Sequence, residues 1–206
     1  MYLAKTPNIL KPLASDLIWS MPSTERVVYL TFDDGPVPEV TPEVLDLLDQ
    51  FDAKATFFCV GDNAKRYPEI LNRIEKSGHS VGNHTQNHLN GWGSSSFSYL
   101  RNYLEGSKWV DSRLFRPPYG RITKKQLLAI KKRSKVIMWD VLSGDFDQRI
   151  DAKKCVDNVL GNVHPGSIVV FHDSVKAKNN VLGCLPGILT ELQLQGYQFK
   201  SLKELQ

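Results

Sequence analysis

The sequence predicts a single-domain α/β protein in which about seven parallel strands form a (β/α) barrel, closed or slightly open. Short β-like segments alternate with longer helical segments, which is typical of a parallel sheet. The segment 55–60 is apolar apart from Thr56, as expected of a strand that is covered on both faces. Acidic residues, histidines and an arginine, which are typical of catalytic and metal sites, follow several different strands. This favours a barrel over a flat sheet, because barrels place their sites at the carboxyl ends of the strands.

Each element is predicted from a local signal. The first strand, 27–32, is an apolar run, and the first helix, 41–51, opens with Thr41 and Pro42, a favourable N-cap and first-turn pair. Further strands are predicted at 55–60, 80–83, 114–116, 135–139 and 167–171. Further helices are predicted at 64–77, 97–111, 124–133, 152–163 and 185–195, and a last segment at 199–202 closes the set. We expect one domain over 1–206, with its motif-bearing part at about 27–206.

Composition narrows the class of protein. Of the 206 residues, 41% are hydrophobic and 23% are charged, which is typical of a globular protein, and the apolar runs are too short to span a bilayer. The net charge of +4, without aromatic residues between the basic ones, does not indicate nucleic-acid binding. The basic run at 124–135 is interpreted as the solvated face of a helix, with weak contact to an anionic surface as the alternative. No CxxC pair is present, so no thiolate zinc site is indicated.

The N-terminal segment carries no continuous apolar run. It is interrupted by Lys5, Pro7, Asn8, Lys11 and Asp16. We therefore expect no signal peptide and expect the protein in the cytoplasm. The sequence does not indicate an oligomeric state.

Two motifs contain the residue types of a metal site. The first strand ends in Thr-Phe-Asp-Asp-Gly-Pro, which places the carboxylates of Asp33 and Asp34 at one strand end. Removing these charged carboxylates from water costs free energy unless another group compensates their charge. A surface turn whose acids cap the next helix is the alternative interpretation. His84 and His88 are four residues apart, on one face of a predicted helical turn, where both imidazoles can bind one metal ion. Two purely structural histidines are the alternative.

Three further motifs follow later strands. The segment Arg-Pro-Pro-Tyr-Gly at 116–120 combines an arginine that can grip a carboxylate with a loop stiffened by Pro117 and its neighbour. The prolines leave the N–H of Tyr119 available to a ligand. His172 stands where an apolar strand ends, and Asp145 on the preceding loop is a partner that would raise its basicity. A rigid turn and a histidine that caps a turn are the alternatives.

The motifs TFDDGP, HTxxH and RPPYG, in this order, resemble those of the polysaccharide deacetylase family, the NodB-homology domain of carbohydrate esterase family 4. The resemblance runs from about residue 27 to residue 172 and beyond. It implies a distorted (β/α) barrel and one divalent metal ion, first of all zinc, although an Asp-His-His set also accepts cobalt, nickel, iron or manganese. It also implies a metal-dependent hydrolase that removes acetyl groups from an N-acetylated carbohydrate substrate.

The resemblance assigns roles to the residues of the metal site. Asp33 matches the catalytic base of the family. Asp34, His84 and His88 match the three metal ligands, and Arg116 matches the arginine that orients the base.

The resemblance also assigns roles around the substrate. The backbone N–H of Tyr119 matches the group that binds the oxyanion, and Pro117 belongs to the same substrate loop. His172 matches the catalytic acid, with Asp145 as the acid that tunes it, while Trp139 matches the wall of the acetyl groove. Phe146 departs from the tryptophan that the family often has at this position, and this departure alters the packing of the groove wall.

Four aromatic residues have two interpretations. Trp92, Tyr99, Tyr103 and Trp109 are either a rim on which sugars stack or, at helical spacing, part of the core. Trp92 lies in the glycine- and serine-rich loop 90–96, directly after the two histidines, and is the best candidate for a substrate contact.

Two other functions remain open from the sequence. The same motifs suit an O-acetyl esterase that acts on acetylated xylan, because nothing in them separates amides from esters. A non-catalytic, metal-containing carbohydrate-binding protein is an alternative of another class. The sequence does not identify the glycan or its chain length.

Overall fold

The structure is a computed structural model that describes residues 3–7 and 16–206. Residues 8–15, part of the segment in which no apolar leader is predicted, lie outside the described residues. The strands are β1 (Leu17–Ile18), β2 (Val27–Asp33), β3 (Ala55–Cys59), β4 (Ser80–Asn83), β5 (Leu114–Phe115), β6 (Lys135–Ile137), β7 (Val141–Leu142), β8 (Ile168–His172) and β9 (Gln198–Phe199). The helices are α1 (Thr41–Gln50), α2 (Gly61–Arg66), α3 (Pro68–Lys76), α4 (Ser96–Gly106), α5 (Lys124–Ile130), α6 (Ala152–Leu160) and α7 (Lys178–Leu194). Short 3₁₀ turns lie at Pro118–Gly120, Val175–Ala177 and Leu202–Leu205.

The strands form one curled parallel sheet, which confirms the predicted α/β barrel architecture in its open form. The strand order is β1-β6-β5-β4-β3-β2-β8-β7, and β9 pairs with β2 outside this path. The chain crosses from one end of this order to the other between β6 and β7. In the crossing segment, Met138 N donates to Ile18 O at 2.7 Å and Asp140 N donates to Ile168 O at 3.2 Å. The open side of the half-barrel is therefore bridged by backbone hydrogen bonds.

The central strands of the sheet are buried on both faces, because helices cover one face and apolar side chains fill the other. Every residue of β2 and β3 is buried. Phe32 of β2 stacks on Phe57 of β3 at 5.0 Å between ring centroids and on Phe171 of β8 at 5.5 Å. These three rings join the three central strands, and α1, α6 and α7 pack in the same core cluster. The carboxyl ends of these strands are therefore held on a rigid base.

Several predicted elements have different bounds. The helix predicted at 64–77 is two helices, α2 and α3, because Pro68 has no N–H with which to continue the first. The last long helix begins at Lys178, not at 185, and contains Pro186 in its interior. The short strands β1 and β7 were not predicted. The predicted last segment, 199–202, is divided between β9 and a 3₁₀ turn.

None of the helices in the described part of the chain combines the length and the apolar composition that a membrane crossing requires.

Candidate active site

Polar side chains from several strands meet at the carboxyl end of the sheet. The barrel prediction places the site at this edge. The parallel register of β2 and β8 makes Asp33 and His172 direct neighbours across the two strands. The loops that follow β4 and β5 add His84 and Arg116 to the same edge. They surround a groove of about 550 Å³. The groove is lined by Asp33, Asp34, His84, His88, Tyr119, Arg121, Trp139, Leu142, Phe146, Val170, His172, Ser174 and Lys176.

Asp34, His84 and His88 form a cluster in which one ligand atom from each residue lies within 4.8 Å of the others. Asp34 Oδ1 is 3.1 Å from His88 Nε2 and 3.7 Å from His84 Nε2. Ligand atoms that surround one zinc ion tetrahedrally are about 3.4 Å apart. Asp34 Oδ1 is buried and accepts no hydrogen bond within the described residues, so coordination to a cation would satisfy this oxygen. The donor set and its spacing therefore fit a divalent metal ion.

The predicted helical turn from His84 to His88 is wrong. Both Thr85 and His88 have left-handed backbone conformations, with φ of 65° and 58°, so the segment is an irregular turn. Two side-chain hydrogen bonds hold this turn: Thr85 N donates to Asn83 Oδ1 at 2.7 Å, and Leu89 N donates to Thr85 Oγ1 at 3.1 Å. The two imidazoles nevertheless converge, with ring centroids 5.0 Å apart. The spacing predicts the convergence correctly, but a strained loop produces it.

His84 is oriented by a backbone carbonyl. Its Nδ1 lies 2.7 Å from Arg116 O, so Nδ1 carries the proton that it donates and Nε2 is left free to bind a metal. Burial lowers the pKa of His84 to about 4, and this effect outweighs the opposing charge of Asp33. The imidazole is therefore neutral, as a metal ligand must be.

Asp34 is presented by a tightly held turn. Its φ is 83°, and Asn63 Nδ2 donates to its carbonyl oxygen at 2.8 Å. Burial raises the pKa of the Asp34 carboxyl, but the interactions with His88, His172 and His84 together lower it more. The net result is a pKa well below the usual range. The group is thus ionised and ready to accept a cation.

Asp173 supports the turn after Asp34, a function that the sequence prediction missed. This fully buried carboxyl accepts hydrogen bonds from Gly35 N at 3.1 Å and from Thr41 Oγ1 at 2.6 Å. Its backbone N–H donates to Asp33 O at 3.1 Å. Burial raises the pKa of Asp173 to about 8. Its position directly after His172, at the end of an apolar strand, was the available sequence signal.

Arg116 fixes the candidate base. The guanidinium is fully buried, and its Nη1 donates at 2.7 Å both to Asp33 Oδ1 and to Thr31 Oγ1. Its other nitrogens donate to the carbonyls of Ile137 and Met138, at 3.3 and 2.9 Å. Burial lowers the pKa of Arg116, while the charge of Asp33 opposes this effect. An arginine with all these partners holds one carboxylate in one orientation.

His172 and Asp145 form the second pair. His172 Nδ1 is 2.8 Å from Asp145 Oδ1, and His172 N donates to Asp145 Oδ2 at 2.6 Å. Burial lowers the pKa of His172, but the charge and hydrogen bond of the fully buried Asp145 raise it more, to about 9. The imidazole is therefore protonated at neutral pH. Phe146 packs edge-on against this ring at 5.2 Å between centroids.

The predicted substrate contacts are only partly in the groove. Trp139 lines it, and Tyr119 lines it with its ring against His88 at 4.5 Å between centroids. Pro117 is buried and is not among the lining residues. Trp92 is 66% exposed and lies beside the groove rather than in its wall.

The helical aromatic residues belong largely to the core. Tyr99 and Tyr103 are buried and pack edge-on against Phe115. Trp109 is partly exposed, with the ammonium of Lys65 5.1 Å from its ring centroid. The core interpretation is confirmed for the two tyrosines, and neither is available as a sugar platform.

The fold and the site together define a parallel α/β half-barrel with an Asp-His-His cluster and a carboxylate and an imidazole at its carboxyl edge. The sequence model of the polysaccharide deacetylase family matches residues 20–135. The chain belongs to this family.

Relatives cover almost the whole chain. A peptidoglycan-N-acetylglucosamine deacetylase of Bacillus cereus is 37% identical over 194 residues, which are 91% of this chain and 91% of that protein. A chitooligosaccharide deacetylase of Azorhizobium caulinodans is 33% identical over 189 residues, 86% of this chain and 84% of that protein. The crystal structure of the Bc1960 peptidoglycan N-acetylglucosamine deacetylase superposes with a TM-score of 0.89 at 32% identity, covering 97% of this chain and 96% of that one. The expectation from the motifs is thereby confirmed at the level of the family.

Proposed function

We propose that this protein is a metal-dependent hydrolase that removes acetyl groups from N-acetylated sugars of a GlcNAc-containing glycan and releases acetate. The observation that carries the proposal is the pairing of Asp33 with His172 on adjacent strands, beside the Asp-His-His cluster. One group is a carboxylate fixed by an arginine, and the other is an imidazolium fixed by a carboxylate. Amide hydrolysis needs this combination, because water must lose a proton and the amine must gain one.

Asp34, His84 and His88 would hold the metal ion, and zinc is the first candidate for this donor set. The ion, when bound, polarises the acetyl carbonyl and lowers the pKa of water. These three residues leave the carboxylate of Asp33 free for a different task.

Asp33 accepts the proton of the water molecule that attacks the acetamide carbon. Arg116 positions this carboxylate through one of its two oxygens and leaves the other oxygen for the water. The backbone N–H of Tyr119 donates to the oxyanion that forms on the acetyl oxygen. His172 then donates its Nε2 proton to the leaving nitrogen, since its Nδ1 is engaged by Asp145. The C–N bond breaks, and acetate and a free amino sugar leave.

The experiment is acetate release from N-acetylglucosamine oligomers of increasing length, with chelated protein and with protein reloaded with zinc or cobalt. We expect release only from the reloaded protein. Asp33→Asn should retain the metal and lose turnover by at least about 100-fold, because general base catalysis is typically worth 10²–10⁴-fold. Full activity of this variant would contradict the role of Asp33.

The O-acetyl esterase alternative is supported by the same groups, because an ester also needs a base and a polarised carbonyl. Acetylated xylan is therefore the second substrate of the assay. Binding of both glycans without acetate release from either, at any metal loading, would instead indicate the non-catalytic carbohydrate-binding protein.

A further inference from the structure

Two cationic side chains line the groove and take no part in the chemistry described above. Arg121 follows the substrate loop after β5, and Lys176 lies in the 3₁₀ turn after β8. Both residues are exposed. Neither forms an ion pair within 4 Å with a carboxylate of the part of the chain described here.

The sheet order places these two cations on opposite sides of the metal cluster. Between β5 and β8 lie β4, β3 and β2, and the loops after β4 and β2 supply the metal ligands and the base. Neighbouring strands are about 4.8 Å apart, so the carboxyl ends of β5 and β8 are separated by about 19 Å along the curved edge of the sheet. Because both cations line the groove that contains the cluster, a glycan with its acetylated residue at the cluster can extend toward Arg121 on one side and toward Lys176 on the other.

Arg121 belongs to a small platform with fixed geometry. Its guanidinium lies 5.3 Å from the ring centroid of Trp92, and Trp92 Nε1 donates to Ile122 O at 3.2 Å. Gln126 Nε2 donates to Gly91 O at 2.8 Å, which ties the tryptophan loop to the first turn of α5. Stacking on an aromatic ring orients a guanidinium and leaves its N–H groups free to donate at the edge.

Lys176 is anchored by its neighbours rather than by an ion pair. Ala177, the next residue, is fully buried, and its N–H donates to Ser174 O at 3.0 Å. The acid whose carboxyl group feels the charge of Lys176 is Asp147, but Arg149 grips both oxygens of that carboxylate at 2.8 Å. The ammonium of Lys176 is thus available to a ligand in the groove.

We propose that Arg121 and Lys176 bind carboxylate groups carried by the sugar residues on either side of the deacetylated one, so that the groove prefers a carboxylate-bearing glycan over a neutral one. The free carboxylates of the peptides of peptidoglycan have this chemistry, as has its lactyl carboxylate where no peptide is attached, whereas chitooligosaccharides lack it. The inference rests on the proposed function.

The test uses one glycan in two charge states. Soluble peptidoglycan strands are compared with the same strands after conversion of their carboxylates to neutral methylamides. Neutral N-acetylglucosamine pentamer serves as the reference for activity. The measured quantity is the ratio of kcat/KM for native strands to kcat/KM for amidated strands, obtained from acetate release by zinc-loaded protein.

For the wild type we expect a ratio of about ten, since an exposed ion pair contributes up to about fivefold in affinity. Arg121→Gln and Lys176→Gln should each lower this ratio about threefold, and the double variant should bring it to about one. Arg121→Lys should retain part of the preference because it keeps the charge. Lys125→Gln removes the same charge from an exposed position on α5 outside the groove and should keep the full ratio. Raising the salt from 0.05 to 0.5 M should reduce the wild-type ratio.

Each outcome decides a separate statement. A wild-type ratio near one, with acetate released from all three substrates, would overturn this inference and leave the deacetylase function intact. A double variant that keeps the wild-type ratio would overturn the assignment to these two residues. Absence of acetate from every substrate would overturn the proposed function and this inference with it.

Discussion

The pair of His172 and Asp145 allows the sharpest prediction, because one substitution changes the protonation of the proposed acid and replaces no residue of the Asp-His-His cluster. In Asp145→Asn the amide oxygen can still accept from His172 N, so the amide nitrogen must face His172 Nδ1. An amide N–H donates to an unprotonated Nδ1, and the imidazole then becomes neutral. The burial that lowers the pKa of His172 remains in the variant, which therefore removes the largest of the attractions that raise this pKa from 6.5 to about 9.

The size of the effect follows from the two protonation curves. With a pKa of about 9, roughly 90% of His172 is protonated at pH 8; with a pKa of 6.5 or below, about 3% or less is protonated. The loss of kcat/KM should therefore be at least about 30-fold at pH 8 and much smaller at pH 6. The basic limb of the pH profile should move down by two or more pH units.

The same substitution should also change how the free energy of unfolding depends on pH. The raised pKa of His172 stabilises the fold fully below about pH 6.5, and this contribution is lost as the pH rises through about 9. Asp145→Asn should remove that pH dependence from the free energy of unfolding. The assay is a pH series of acetate release and of urea unfolding, with Asp157→Asn, an exposed acid of α6, as the control. An unchanged basic limb in the variant would refute the assignment of His172 as the tuned acid.

Two further predictions concern buried charges. Arg116→Ala leaves the carboxylate of Asp33 buried without its partner, so the free energy of unfolding should fall by about 3–5 kcal/mol in urea titrations; a loss below about 1 kcal/mol would contradict the buried ion pair. Because burial raises the pKa of Asp173 to about 8, the native state keeps its proton and wild-type stability should fall as the pH rises from about 4 to about 8. Asp173→Asn should remove most of this pH dependence of the free energy of unfolding, although it also removes the hydrogen bond from Thr41. If the pH dependence is the same in both proteins, the carboxyl of Asp173 is not its source.

The central strands could be predicted from the sequence because their signals are local. An apolar run such as 55–60 has no stable place in this chain except between two layers, so β3 follows from its composition. The two-residue strands β1 and β7 have no comparable signal. β1 exists only because it pairs with β6, which is distant in the chain, and β7, directly after the crossing segment, exists only because it pairs with β8. Long-range pairing of this kind is not encoded in a short window of sequence.

In the site, too, some features follow from local sequence and others depend on residues that are distant in the chain. The spacing of His84 and His88 indicates correctly that their rings converge, but the left-handed residues that achieve it depend on the side chain of Asn83 and on the strand below. The supporting role of Asp173 depends on Gly35, which is 138 residues away in the chain. No local feature of the sequence indicates that Arg121 lies in the groove, and its contact with the Trp92 ring is visible only in the structure. The contacts across the mouth of the barrel are therefore the portion of the site that could not be predicted from the sequence.

The register of β2 and β8 has a consequence for how this family can diversify. Asp33 and His172 are paired positions of adjacent parallel strands, so the distance between the proposed base and the proposed acid is fixed by the hydrogen-bond ladder of the sheet. Loops such as those that carry Arg121 and Lys176 take no part in setting this distance. On the proposed assignments, substitutions in these loops would change which glycan binds, while the two groups proposed for proton transfer keep their spacing. The sheet would then preserve the chemistry, and the loops would set the choice of polymer.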